Sequence, residues 1–140
     1  MSQENVERLR AALAAYNREG PEAIIALLDP DVEWIADRSD TGRATFRGRE
    51  GVRKSFEELY EGFDKLGFEV EDLIDVGDQI VALGQMTARG RSTGVEAKLP
   101  LAVVFTAGHD GKLIRYESFR NTEEAFEAVG LSEQDAHADS

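Results

Sequence analysis

Glu117 stands in the run Arg115-Tyr116-Glu117-Ser118-Phe119, with Leu113 close before it. A carboxylate set among apolar side chains is penalised in its charged form. Its pKa rises, and it can give or take a proton near neutral pH. Asp37 opens the polar stretch after Trp34-Ile35-Ala36 and is a second candidate base, at a cavity rim. Each acid also has a plain structural reading. Glu117 can pair with Arg115 or with an arginine of the segment 38–54. Asp37 can be a turn residue ahead of Arg38, Ser39 and Asp40. Tyr16 and Tyr60 lie on apolar helix faces, where a phenol either holds a polar group of a ligand or packs in the core with its hydroxyl on backbone. Trp34, the only tryptophan, lines a pocket or fills the core. Gln85, flanked by Leu83 and Met86-Thr87, is a ligand anchor if it faces a cavity and a dimer contact if it faces outward.

Other chemistry has little to stand on. Cysteine is absent, which removes disulfides and thiolates and fits the cytosol. His109 sits in a hairpin turn and His137 near the end, and neither has a second ligand at zinc-site spacing. There is no HExxH, phosphate loop or dinucleotide fingerprint. The expectation is therefore no metal and no tightly held cofactor. A net charge of −12 argues against nucleic acid and against anionic membranes. No apolar run reaches the ~20 residues of a membrane span, and the acidic start predicts no signal peptide. Residues 38–54 hold six basic against two acidic side chains. They either steer an anionic substrate or neutralise the acidic remainder, and the second reading is preferred.

The elements that position these residues follow from periodicity. Val6, Leu9, Leu13 and Tyr16 form one helical stripe, which Gly20 ends. Pro21 suits the first turn of a second helix carrying Ile24, Ile25, Leu27 and Leu28, and Pro30 stops it. Val32–Ile35 reads as a short strand and 36–46 as a polar loop. Val52, Phe56, Leu59, Tyr60 and Phe63 mark a third helix, with exit signals at Gly62 and Gly67. The rest is sheet from Phe68, with turns at Gly77-Asp78, 90–94 and 108–111. Residues 99–105 are apolar on both faces and so demand cover on both. Asn121 followed by Glu124 predicts a capped last helix, closed by Gly130 with Leu131 packed back. The expected fold class is α+β: three N-terminal helices packed on a strongly bent, mainly antiparallel sheet that forms a cone, with a short C-terminal helix. Residues 1–131 form one domain, and 132–140 a flexible acidic tail.

The segments Ala14-Ala15-Tyr16-Asn17-Arg18-Glu19-Gly20, Asp29-Pro30-Asp31-Val32-Glu33-Trp34, Phe46-Arg47-Gly48-Arg49-Glu50-Gly51-Val52, Asp75-Val76-Gly77-Asp78 and Gly111-Lys112-Leu113-Ile114-Arg115 resemble the SnoaL-like branch of the nuclear-transport-factor-2-like superfamily. The resemblance covers about residues 3–131 and implies the cone fold. That fold hosts isomerases, cyclases, epoxide hydrolases, dehydratases and binders. The catalytic carboxylate of ketosteroid isomerases corresponds to Ala36 or Asp37. The places of their oxyanion-hole tyrosine and aspartate fall on Leu13 and Ala102. The acid of related cyclases and hydrolases on the last long strand corresponds to Glu117, whereas the Arg-x-Asp pair of the epoxide hydrolases falls on Gln85 and Thr87.

Two functions follow. One is a cofactor-free acid–base enzyme, isomerase-, cyclase- or hydrolase-like, acting on a small hydrophobic molecule, with Glu117 or Asp37 in the cone. The other is a non-catalytic small-ligand-binding or scaffold domain, expected if both acids are ion-paired at the surface. The two-sided pattern of 99–105 also predicts a homodimer through the outer face of the sheet.

Overall fold

The computed structural model describes residues 3–38 and 42–131. Helix α1 (Gln3–Glu19) buries Val6, Leu9, Ala12, Leu13 and Tyr16, the predicted stripe. It stops at Gly20, whose φ of 101° is open to glycine and whose N–H closes on the Tyr16 carbonyl at 2.9 Å. The other elements are α2 (Glu22–Ile25), β1 (Leu28–Arg38), β2 (Gly42–Arg47), α3 (Gly48–Gly62), β3 (Phe63–Val76), β4 (Gln79–Gly90), β5 (Glu96–Ala107), β6 (Leu113–Phe119) and α4 (Thr122–Ala128).

The three helices are not grouped at the N-terminus as the sequence predicted. One long helix opens the chain, α2 is a single turn, and α3 follows a β-hairpin. Pro30 lies within β1 and ends no helix. The β1–β6 register is irregular between Leu28 and Glu33, so no continuous ladder needs the missing N–H. The expected loop 36–46 is in fact the end of β1 and the whole of β2, with residues 39–41 outside those described. β2 is an edge strand with only Ala44 and Phe46 partly covered, so it carries little apolar signal. β3 begins directly at Phe63, five residues before the expected start.

One six-stranded sheet runs in the order β2-β1-β6-β5-β4-β3. Every neighbouring pair is antiparallel except β1 and β6, which are parallel and join the first strand to the last. On the concave face α1, α2 and α3 pack over Val32, Trp34, Phe68, Ile80, Ala82, Val103 and Phe105. On the convex face α4 lays Ala125 and Phe126 on Val81, Ala102, Val104 and Phe119. Cover for Ala102 and Val104 thus comes from the same chain, whereas Pro100 on the same face is exposed. Asn121 caps α4 as predicted, its Oδ1 accepting from the Glu124 N–H at 2.8 Å. The Leu131 N–H bonds back to the Phe126 carbonyl at 2.8 Å. No helix among the described residues is long and apolar enough to cross a membrane.

Candidate functional site: an aromatic wall on the concave face

Alternation along the strands decides what faces the cone. On β1, Trp34 points inward to the core, so Glu33, Ile35 and Asp37 point outward. On β6, Tyr116 packs inward beside Phe105, and Glu117 sits opposite Val104 on the convex face. Inside the cone the aromatic rings form a continuous wall. Trp34 and Tyr116 stack, Phe105 meets Tyr116 edge-on at 5.6 Å, and Phe56 of α3 is tilted against both Trp34 and Tyr16 at 5.8 Å. Tyr60 stands one helical turn after Phe56. Both are half-buried, whereas Tyr16 and Trp34 are buried.

The three tyrosine phenols converge electrostatically. Burial raises the Tyr16 pKa well above its ordinary value, and the nearby Tyr60 and Tyr116 phenols push it further the same way. Burial also raises Tyr60. Both groups therefore remain neutral O–H donors at physiological pH. Asn17, in the last turn of α1, fixes the outer wall. Its carboxamide bonds both backbone groups of Phe68, accepting from the N–H at 2.7 Å and donating to the carbonyl at 2.9 Å. It does for the free edge of β3 what a further strand would do.

The two candidate acids are not in this wall. The Glu117 carboxylate lies on the convex face between Arg43 and Arg115, each 3.3 Å away. Asp37 pairs with Arg120 at 3.3 Å on that face, and its N–H donates to Ser118 Oγ at 2.9 Å. Both are members of an alternating charge ladder that includes Glu33 with Arg47 and Arg115, while Arg43 also lies over the Phe119 ring. The expected inward placement of Glu117 fails for a local reason. Leu113 and Phe119 share its parity, but the β5–β6 register shifts between Thr106 and Ala107. That extra residue puts Leu113 on the concave side and Phe119 on the convex side, and Glu117 follows Phe119. Gln85, opposite Glu69 and Pro100, faces outward as well. Of the predicted binding residues, Tyr16, Trp34 and Tyr60 come together. Phe56, expected in the cavity wall, joins them, whereas Tyr116 and Asn17 were missed, and the first of these was legible only with the parity of β6 in hand.

The basic segment is largely spent inside the fold. Arg49 donates to the Leu28 carbonyl, Arg53 bridges Glu22 of α2 and Glu50, and Arg43 and Arg47 join the ladder. His109 is exposed in its turn, and His137 lies outside the described residues. Among the described residues no cluster of three or more His, Asp or Glu side chains could hold a metal ion.

Residues 9–116 match the family model of the SnoaL-like domain. The chain belongs to this family. The SnoaL-like domain described above superposes on solved structures over most of its length. An NTF2-like protein of unknown function from Burkholderia pseudomallei is 22% identical with a TM-score of 0.74, covering 94% of this chain and all of that one. TerC, co-crystallised with polyporic acid, is 24% identical with a TM-score of 0.72, covering 89% and 97%. A protein assigned as a SnoaL-like polyketide cyclase from Jannaschia is 21% identical with a TM-score of 0.69, covering 85% and 88%. At these identities the SnoaL-like domain shares their fold. No curated protein matches it.

Proposed function

We propose that this SnoaL-like domain binds a small, planar, oxygen-bearing hydrophobic molecule against the aromatic wall, without carboxylate acid–base chemistry. The observation that carries this reading is the sorting of polar groups between the two faces. The phenols of Tyr16, Tyr60 and Tyr116 are gathered with Trp34 and Phe56, while Glu117 and Asp37 are ion-paired on the far side of the sheet. Neutral phenols donate to a carbonyl or hydroxyl oxygen, and flat rings cover a flat apolar body. The polyporic acid co-crystallised with TerC is a molecule of this kind. An acid–base enzyme of the type expected from Glu117 requires that carboxylate among the concave side chains.

Trp34 is a built-in reporter, being the single tryptophan and stacked in the wall. Titration with polyporic acid should quench its emission saturably. Tyr60→Phe should weaken binding about tenfold, the loss of one hydrogen bond made in a desolvated site. Unaltered Trp34 emission, or equal affinity in Tyr16→Phe, Tyr60→Phe and Tyr116→Phe, would refute the reading.

A further inference from the structure

We propose that a cleft on the outer face of the sheet is a second binding site, one that takes a small zwitterion with its ammonium toward Glu71 and its carboxylate toward Arg120. The cleft measures about 240 Å³, and Glu71, Leu83, Gln85, Pro100, Arg120 and Asn121 are in its lining. It is separated from the aromatic wall by the thickness of the sheet, and its argument is independent of the function proposed above.

Three features build it. The first is a step in the sheet. β5 pairs with β6 only from Ala102 onward, so Glu96–Leu101 continues beside β4 alone while the chain turns away at Arg120 into α4. Pro100 fits this step, because a proline is tolerated where its missing N–H faces an open edge. The second is a bulge in β3. Val70 pairs with Gly84 and Asp72 with Leu83, which leaves Glu71 as the extra residue. Bulges re-aim side chains in this way. Gly84 permits it, since a Cβ there would collide with the Glu69 carbonyl oxygen of the bulged strand. The third is unused polar capacity. Among the described residues the exposed Glu71 carboxylate and the half-buried Gln85 amide have no protein partner, so water alone holds them and a ligand can displace it. Arg120 gives Nε to Asp37, and Asn121 gives only Oδ1 to its helix, so the Arg120 Nη groups and the Asn121 NH₂ remain available.

These features select the ligand. Glu71 and Arg120 approach from β3 and from the end of β6, three strand spacings or ~14 Å apart at the backbone, with the apolar Leu83 and Pro100 between them. The net charge of −12 repels an anion at long range, and Arg120 opposes a cation within the cleft. A molecule with both charges and no net charge meets neither penalty. The volume is that of about eight water molecules, room for a short amino acid together with several waters.

The test uses the full chain labelled with ¹⁵N and titrated with 4-aminobutanoate, with butylamine and butanoate as one-ended controls. Saturable amide shifts confined to residues near 71, 83–85 and 120–122, with Trp34 emission unchanged, are expected from the zwitterion. Glu71→Gln and Arg120→Gln should each weaken it about tenfold, as loss of one charge-assisted contact. Absence of shifts at millimolar 4-aminobutanoate overturns the proposal. So does binding of either control as tight as that of the zwitterion. Sedimentation as a dimer that Leu83→Asp dissociates would overturn it too, because a second copy would then fill the cleft.

Discussion

The ring of Tyr116 lies flat on the indole of Trp34, with centroids 3.6 Å apart and planes within 4°. The two residues are direct neighbours across the parallel β1–β6 pair, so the stack rivets the first strand to the last. Trp34→Ala should therefore cost about 3–5 kcal/mol of stability, the range for emptying a large aromatic site. Tyr60→Phe keeps the ring and removes only a hydroxyl, so it should leave the urea midpoint nearly unchanged while weakening ligand binding. Equilibrium denaturation beside the fluorescence titration separates the two effects.

Asn17 gives a prediction that rests on two hydrogen bonds. Asn17→Ala leaves the Phe68 N–H and carbonyl without their partners at a partly buried edge. The expected loss is about 2 kcal/mol. Asn17→Asp keeps an acceptor for the N–H but sets a carboxylate oxygen against the Phe68 carbonyl, and should be at least as damaging. Urea denaturation of both variants provides the measurement.

The convex placement of Glu117 predicts indifference. Glu117→Gln and Asp37→Asn should each change stability by less than about 1 kcal/mol, since partly exposed ion pairs contribute little. The effect should shrink further in high salt. Neither variant should alter the Trp34 titration. A large loss of binding in Glu117→Gln would return that carboxylate to the site.

The phenol pKa shifts set an alkaline limit. Tyr16 is raised above its ordinary value of 10.0 by burial and by the neighbouring phenols. A group whose folded pKa is raised favours the folded state fully below the unfolded value. That contribution fades as pH climbs from about 10 toward the folded value, because only the unfolded chain then releases the proton. Stability should therefore fall above pH 10, with tyrosinate absorbance appearing together with unfolding. Tyr16→Phe should flatten that fall. Early tyrosinate absorbance from Tyr16 and Tyr60 in the folded protein would contradict the buried site.

The sequence revealed the parts of the fold that are written in glycines, prolines, caps and long apolar stripes. Gly20, Gly77-Asp78 and Asn121 with Leu131 behave as read, because each has a backbone reason to be where it is. β2 was illegible, since an edge strand needs only Ala44 and Phe46 to face inward. The candidate site divided along the same line. Tyr16 and Tyr60 belong to helices whose faces are set by their own periodicity, and both lie where expected. Glu117 belongs to a strand whose parity is set by one extra residue near Ile114, and that residue leaves no composition signal. The cover of Ala102 and Val104 by α4 was not legible, because that helix of two turns carries its contact mainly in Ala125 and Phe126.

The parallel pairing of β1 with β6 has a consequence for how the molecule is made. A ribosome releases Val32 and Trp34 early, but the strand that seats them, from Leu113 to Phe119, emerges among the last residues of the chain. Local hairpins such as β3–β4 can form as they appear. The aromatic wall cannot close until Tyr116 has cleared the exit tunnel. For most of synthesis the nascent chain must carry an indole and its apolar strand unsheltered, the kind of surface that chaperones recognise.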